Sequence, residues 1–268
     1  MTRTALVTGA SAGIGKAFAE HLASDGYDLV LTARRQQRLE ELARALEVKH
    51  GVRAQVITAD LADPGAPEQI MQELRARELE VDVLINNAGF GIRTAFGDTP
   101  WTQHAQLIQV EVTAVAHLTH LCLPGMLDRG YGRVVHVASL AGLLPGAPTS
   151  TLYAAAKSFL IKFSESLTAE LKHTGVHVCA VCPGFTVSEF HDVMGTRPIV
   201  SKLPAAMWSS AEQVAREGID AVMRGDVVYV PGPLNRALAV IYQHLPSRAA
   251  RGLMRKSGGR YRAVGKNA

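Results

Sequence analysis

Seven apolar runs of strand length, at residues 5–8, 29–32, 54–58, 83–85, 134–137, 176–181 and 227–230, are separated by stretches with helical spacing. Strands that are apolar on both faces need cover on both sides, and the helices between successive strands can supply it. The pattern predicts an α/β protein built on a doubly wound parallel sheet of about seven strands, with helices on both faces. Within 38–46, Leu39, Leu42 and Leu46 fall on one stripe with no Pro between them, as an amphipathic helix requires. A long helix is predicted over 150–173, ended by Gly175 just before the next strand, and another over 99–127.

With 268 residues, 47% hydrophobic and 19% charged, the chain can bury a substantial core as one domain. The residues before Thr8 include one basic side chain and no long apolar run, which predicts neither a signal peptide nor a membrane span, and so a soluble cytoplasmic protein. Cys122, Cys179 and Cys182 are too few for a disulfide framework. Cys179 and Cys182 have the spacing of half a metal site, but no second pair completes it and residues three apart in a strand face opposite sides. No metal is expected. The formal net charge of +4 hides an asymmetry: no acidic residue follows Asp226, while Arg236, Arg248, Arg251, Arg255, Lys256, Arg260, Arg262 and Lys266 make the tail strongly basic.

Chemistry-bearing residues gather where the strands end. The first strand runs into Thr8-Gly9-Ala10-Ser11-Ala12-Gly13-Ile14-Gly15 and then a helix beginning near Lys16. Glycines there permit a tight turn and let backbone amides approach a pyrophosphate, which the positive helix end favours. The second strand ends in Arg34-Arg35 with no carboxylate for a ribose 2′-hydroxyl. Guanidinium groups suit a 2′-phosphate, hence NADPH over NADH; the bland alternative is a solvated helix start. Asp60 follows the third strand and Asn86-Asn87-Ala88-Gly89 the fourth, matching an adenine contact and a cofactor-facing turn, although all are ordinary turn residues. The fifth strand delivers Ser139, whose hydroxyl suits a substrate oxygen, and the next helix carries Tyr153 and Lys157 one turn apart on one face. A tyrosine holds its proton to a pKa of about 10, so a neighbouring ammonium is needed for proton exchange near neutrality.

Taken in order, Thr8 to Gly15, Asn86 to Gly89, Ser139, Tyr153 with Lys157, and Pro183-Gly184 resemble the motifs of the short-chain dehydrogenase/reductase family over roughly residues 3–231. The resemblance implies a single Rossmann-type domain and an NADP-dependent oxidoreductase acting between CH–OH and C=O groups. It implies Tyr153 as general acid in reduction and Ser139 orienting the carbonyl. Lys157 would hold the nicotinamide ribose and lower the tyrosine pKa. Cofactor contacts are implied at Thr8, Gly9, Ser11, Gly13, Ile14, Gly15, Arg34, Arg35, Asp60, Leu61, Asn87, Ala88, Gly89, Pro183 and Gly184, with Thr186 meeting the carboxamide. NADP-preferring branches often carry a second basic residue where Ala12 stands.

Two positions depart from the family pattern. Glu111 stands where many members have an Asn that supports a water connected to the lysine in a proton relay; a carboxylate there does similar work, pairs with Lys157, or is a solvated helix residue. Ser139 and Tyr153 are 14 positions apart, one more than the family usually shows, and the loop 143–150 can absorb the difference.

A lid at 185–210 contributes Phe185, Phe190, Met194, Ile199, Leu203, Met207 and Trp208, joined by Phe90, Ile92, Leu140, Leu143 and Leu144. This lining suggests a lipophilic ketone, either a long-chain 3-oxoacyl group as for the bacterial ketoacyl reductases of this family, or a steroid-like ketone. We assign 1–233 to the main domain including the lid, and 234–268 to a basic C-terminal helix and tail. There, Leu234, Ala237, Leu238, Ile241 and Leu245 form an apolar stripe that either packs on the domain or contacts an anionic membrane or an acyl carrier. Nucleic acid is not an expected partner; a homo-oligomer, dimer or tetramer through the long helices, is. The competing functions are alcohol oxidation and cofactor binding without turnover.

Overall fold

Residues 2–92, 94–148, 150–189 and 207–258 are described by the computed structural model. All seven predicted strands form: β1 (Thr4–Thr8), β2 (Asp28–Ala33), β3 (Ala54–Thr58), β4 (Val83–Asn86), β5 (Gly132–Val137), β6 (Val176–Val181) and β9 (Val228–Tyr229). They make one sheet in the order β3-β2-β1-β4-β5-β6-β9, every pairing parallel. The helices are α1 (Gly13–Ser24), α2 (Gln36–His50), α3 (Ala66–Ala76), α4 (Trp101–Ile108), α5 (Ala114–Asp128), α6 (Thr151–Glu170), α7 (Ala211–Arg224), α8 (Pro233–His244) and α9 (Ser247–Gly258). This is a Rossmann-type doubly wound sheet. The strand order reverses between β1 and β4, and their carboxyl ends open the crevice in which such sheets bind ligands.

Side-chain alternation along each strand divides the core in two. Val7, Leu31, Ile85, Val135 and Val181 pack under α1, α2 and α7, against Phe18, Leu22, Leu39, Leu42, Leu46, Val214 and Val222. Leu6, Val30, Leu84 and Val134 face the other way, onto Ile70, Leu74, Leu118, Met126 and Leu167 of α3, α5 and α6. Phe18 is fully buried, and a Cβ on Gly218 would stand 3.1 Å from its ring, so α1 and α7 meet through this side chain. Phe18→Ala is expected to cost about 3–5 kcal/mol, read as a lower urea midpoint with an unchanged slope.

Two helices differ from the sequence prediction. The predicted 150–173 helix ends at Glu170, and His173 takes the left-handed conformation at φ 69. Gly175 does not cap it: a Cβ there would collide with the Gly130 carbonyl, so the glycine serves a close backbone approach. The predicted 99–127 helix is interrupted at Gln109–Thr113 by a π-helical turn between α4 and α5. The continuous helical run Trp101–Asp128, at hydropathy 1.2, has the length and composition to cross a membrane, yet it packs into the domain against α3, β4 and β5.

Short strands β7 (Phe185–Val187) and β8 (Trp208–Ser210) pair with each other outside the main sheet. Phe190, Met194, Ile199 and Leu203 of the predicted lid lie outside the described residues. In α8, Asn235 and Ala239 form the buried side, while Leu234 and Ile241 of the predicted stripe are 41% and 52% exposed.

Candidate active site

The glycine turn is built by close packing of β1 against β4. The Thr8 hydroxyl donates to the Ile85 carbonyl and accepts from the amides of Asn87 and Ala88 at 3.0 and 3.1 Å. The Asn87 amide donates to the Thr8 carbonyl at 2.9 Å. A Cβ on Gly9, which has φ +66, would stand 2.7 Å from Asn87 Nδ2, and one on Gly15 would collide with the same atom. Gly13 at φ +55 lies under Ser188. Asn87 thus shapes the turn from below. Helix α1 starts at Gly13 with no side-chain cap on Ala12 and no acidic residue in its first turn, so its first amides and its positive end fit an anionic ligand such as a pyrophosphate.

At the end of β2 the two sequence-predicted arginines diverge. Arg35 donates to Ser11 Oγ through Nε at 3.1 Å and Nη2 at 2.9 Å, tying α2 to the glycine turn, while its Nη1 lies 2.8 Å from Glu189 Oε2. Arg38, one turn on, meets the same carboxylate at 2.8 Å. Arg34 is exposed, with no ionic partner among the described residues. Asp60 accepts from the Ala62 amide at 3.0 Å. The Leu61 side chain is turned into the core, which leaves its backbone as the part available to an adenine.

Ser139, Tyr153, Lys157 and Glu111 converge at the ends of β4 and β5. Ser139 begins a short turn, its Oγ accepting from the Ala141 amide at 3.1 Å, and its hydroxyl meets that of Tyr153. The Lys157 ammonium lies 5.5 Å from the Tyr153 ring centre and donates to the Val137 carbonyl at 2.8 Å. Glu111, in the π-helical turn, is 1% exposed, which excludes the solvated reading. Its Oε2 stands 2.7 Å from Lys157 Nζ and its Oε1 accepts from the Phe90 amide at 3.0 Å. A Cβ on Gly89 would collide with this carboxylate, so the glycine of Asn-Asn-Ala-Gly makes room for Glu111 to reach the lysine.

Burial pushes the Glu111 carboxyl up, against Lys157 and the Phe90 amide, which favour its charge. Burial works to lower the Lys157 ammonium, but Glu111 and Tyr153 outweigh it and hold it above the usual lysine value. Burial likewise raises Tyr153; Lys157 and the Ser139 hydrogen bond pull it down, Glu111 pushes it up, and it stays above the ordinary tyrosine value. Lys157 acts in the expected direction. Its effect is outweighed chiefly by burial of the tyrosine, with Glu111 adding to it.

Beside Tyr153 lies a small open cleft lined by Ile92, Thr94, His104, Leu107, Thr151 and Leu152. Pro183 accepts from the Leu140 amide at 2.9 Å, joining the Ser139 turn to the Pro-Gly turn. Thr186 is 5% exposed, with its hydroxyl on the Gly184 carbonyl at 3.2 Å, and a Cβ on Gly184 would press on Asn235 of α8. Arg38, Glu189, His104 and Asn235 are additions to the residues predicted from sequence. The signal for Arg38 was available as a basic residue one turn past Arg34.

The model for the family described as short chain dehydrogenase matches residues 3–197. A very-long-chain 3-oxoacyl-CoA reductase of Anas platyrhynchos is 36% identical over 195 residues; the match takes in 70% of this chain but 61% of that protein's length. Ketoacyl reductase HetN of Nostoc sp. is 32% identical over 238 residues, 88% of this chain and 81% of that one. Among solved structures, a short-chain dehydrogenase from Sphingobium yanoikuyae in complex with NADPH superposes with a TM-score of 0.80 at 33% identity, covering 94% of this chain and 95% of that one.

Proposed function

Because the chain belongs to the short-chain dehydrogenase family, we propose that it is an NADPH-dependent carbonyl reductase acting on a lipophilic ketone, with a long-chain 3-oxoacyl compound as the favoured class. The observation that carries this reading is the convergence of Ser139, Tyr153 and the Lys157–Glu111 pair beside a cleft of mixed polar and apolar lining. The crevice between β1 and β4 would hold the cofactor, which when bound would supply the hydride. The chain supplies the rest. Ser139 and Tyr153 donate hydrogen bonds to the carbonyl oxygen, which gains negative charge as it is reduced, and Tyr153 delivers the proton. Lys157 stabilises the tyrosinate left behind, and Glu111 holds the ammonium in register.

Gly9, Ser11, Gly13, Ile14 and Gly15 would hold the pyrophosphate, Arg34 and Arg35 the 2′-phosphate, Asp60 and the Leu61 backbone the adenine, and Pro183, Gly184 and Thr186 the nicotinamide end. The 3-oxoacyl class is supported by the apolar walls at Ile92, Leu107 and Leu152 and by relatives named for such substrates. We keep 1–233 as the catalytic domain and 234–268 as an appended segment. Exposed Leu234, Val240 and Ile241, beside the basic residues of α8 and α9, support contact of that segment with an anionic membrane surface or an acyl carrier by an otherwise cytoplasmic enzyme. Exposed Leu127 and Phe159 on α5 and α6 support self-assembly.

A panel of 3-oxoacyl thioesters, steroid ketones and small ketones with NADPH, followed by loss of nicotinamide absorbance, tests the reading. Turnover is expected, highest with long acyl chains. Cofactor binding without turnover of any carbonyl would instead establish the non-catalytic reading.

A further inference from the structure

The carboxylate of Glu189 sits between two arginines near the end of β2. Arg35 and Arg38 point their guanidinium groups at it from α2, each at 2.8 Å, and these contacts hold the acid below the usual carboxylate range. Arg35 also grips Ser11 of the glycine turn, so the clasp lies at the end of β2, where a dinucleotide's adenosine ribose belongs. Glu189 reaches it from two residues beyond β7, and the neighbouring Ser188 covers Gly13. A strand end that lacks its own acid has therefore received one from 154 positions away.

We propose that Glu189 is a specificity-determining residue: an internal anion that occupies the Arg35–Arg38 pair and must be displaced by the 2′-phosphate of NADP(H), setting how strongly that phosphate is preferred. The inference rests on the NADPH reading above. Carboxylate and phosphate both suit the geometry of a guanidinium fork, and two anions cannot share one pair of cations without repulsion. Displacement lowers phosphate affinity by what the two ion pairs are worth. All three side chains are 43–49% exposed, so this is a modest, salt-screened quantity. For NADH, which brings no phosphate, the clasp stays closed and nothing is lost. Glu189 thus narrows the gap between the two cofactors while keeping the arginines in place.

Titration calorimetry of 2′,5′-ADP and 5′-AMP on the full chain tests this without turnover. Glu189→Gln is expected to bind 2′,5′-ADP about ten-fold more tightly than the unaltered protein at low salt, with the gain shrinking as salt is added and 5′-AMP unchanged. Unchanged or weaker 2′,5′-ADP binding in Glu189→Gln would overturn the proposal, weakening in particular showing that the acid merely pre-orders the arginines. If 2′,5′-ADP binds the unaltered protein and the variant no better than 5′-AMP, the NADPH reading itself falls. Arg35→Ala, expected to weaken 2′,5′-ADP binding while leaving 5′-AMP unchanged, locates the phosphate at this clasp.

Discussion

Tyr153→Phe is expected to lower the rate of carbonyl reduction by about 10²–10⁴-fold while leaving nicotinamide binding and the fold intact. The substitution removes one oxygen. The phenyl ring keeps its packing beside Lys157, and the lost hydroxyl leaves Ser139 with the Ala141 amide as a remaining partner, so the stability cost is about 1 kcal/mol, that of one hydrogen bond. Among the described residues of the cleft, no other side chain is placed to deliver the proton. Ser139 is an alcohol too weakly acidic to do so. His104 is buried with its Nε2 on the Phe96 carbonyl at 3.1 Å, and Lys157 is committed to Val137 and Glu111. Ser139→Ala, which removes one donor to the developing oxyanion but leaves the acid, is expected to lose less, about 10²-fold. Single-turnover rates with pre-bound NADPH, and the cofactor dissociation constant of each variant, separate chemistry from binding. Full activity in Tyr153→Phe would show that the proton comes from elsewhere and sink the assignment.

The sheet was legible because its strands are predominantly apolar runs, and parallel strands covered on both faces have no reason to alternate. The glycine turn and the Tyr153–Lys157 pair were legible because their chemistry is local, within eight residues or one helical turn. What the sequence did not show depends on contacts between distant segments. Gly175 looks like a helix stop, and its use appears when β6 is laid beside Gly130. The π-helical turn that aims Glu111 inward leaves no mark in an otherwise regular apolar pattern. His136 reads as a break in the apolar fifth strand; in the fold its ring bridges Thr119 and Ser164 at 3.2 and 2.9 Å, and burial holds it neutral with a pKa lowered to about 3. Glu189 is not legible as a partner of Arg35 and Arg38, because it stands 154 and 151 positions from them in the chain.

Glu111, read from the sequence as a departure from the family pattern, is buried against Lys157, and replacing it has the second large effect. Glu111→Ala leaves a buried ammonium with one carbonyl for company, and breaking a buried ion pair from one side costs about 3–5 kcal/mol, visible as a lower urea midpoint. Glu111→Gln is the sharper test. The amide keeps an oxygen for the Phe90 N–H and removes a negative charge. That charge raises Tyr153, both directly and by neutralising Lys157, so its loss lowers the tyrosine pKa. Reduction requires the protonated tyrosine and fails as pH rises through that pKa, so the alkaline limb of kcat/KM for reduction moves to lower pH. Oxidation requires the tyrosinate, so its rate near neutrality rises relative to reduction. One effect opposes this: without Glu111, burial lowers the Lys157 ammonium. Lys157 retains the Val137 carbonyl, and Tyr153 continues to favour its charge, so the tyrosine effect is expected to dominate. An alkaline limb that stays in place or moves upward in Glu111→Gln would mean that Lys157 has lost its proton first, making Glu111 the keeper of the lysine charge instead of a brake on the tyrosine.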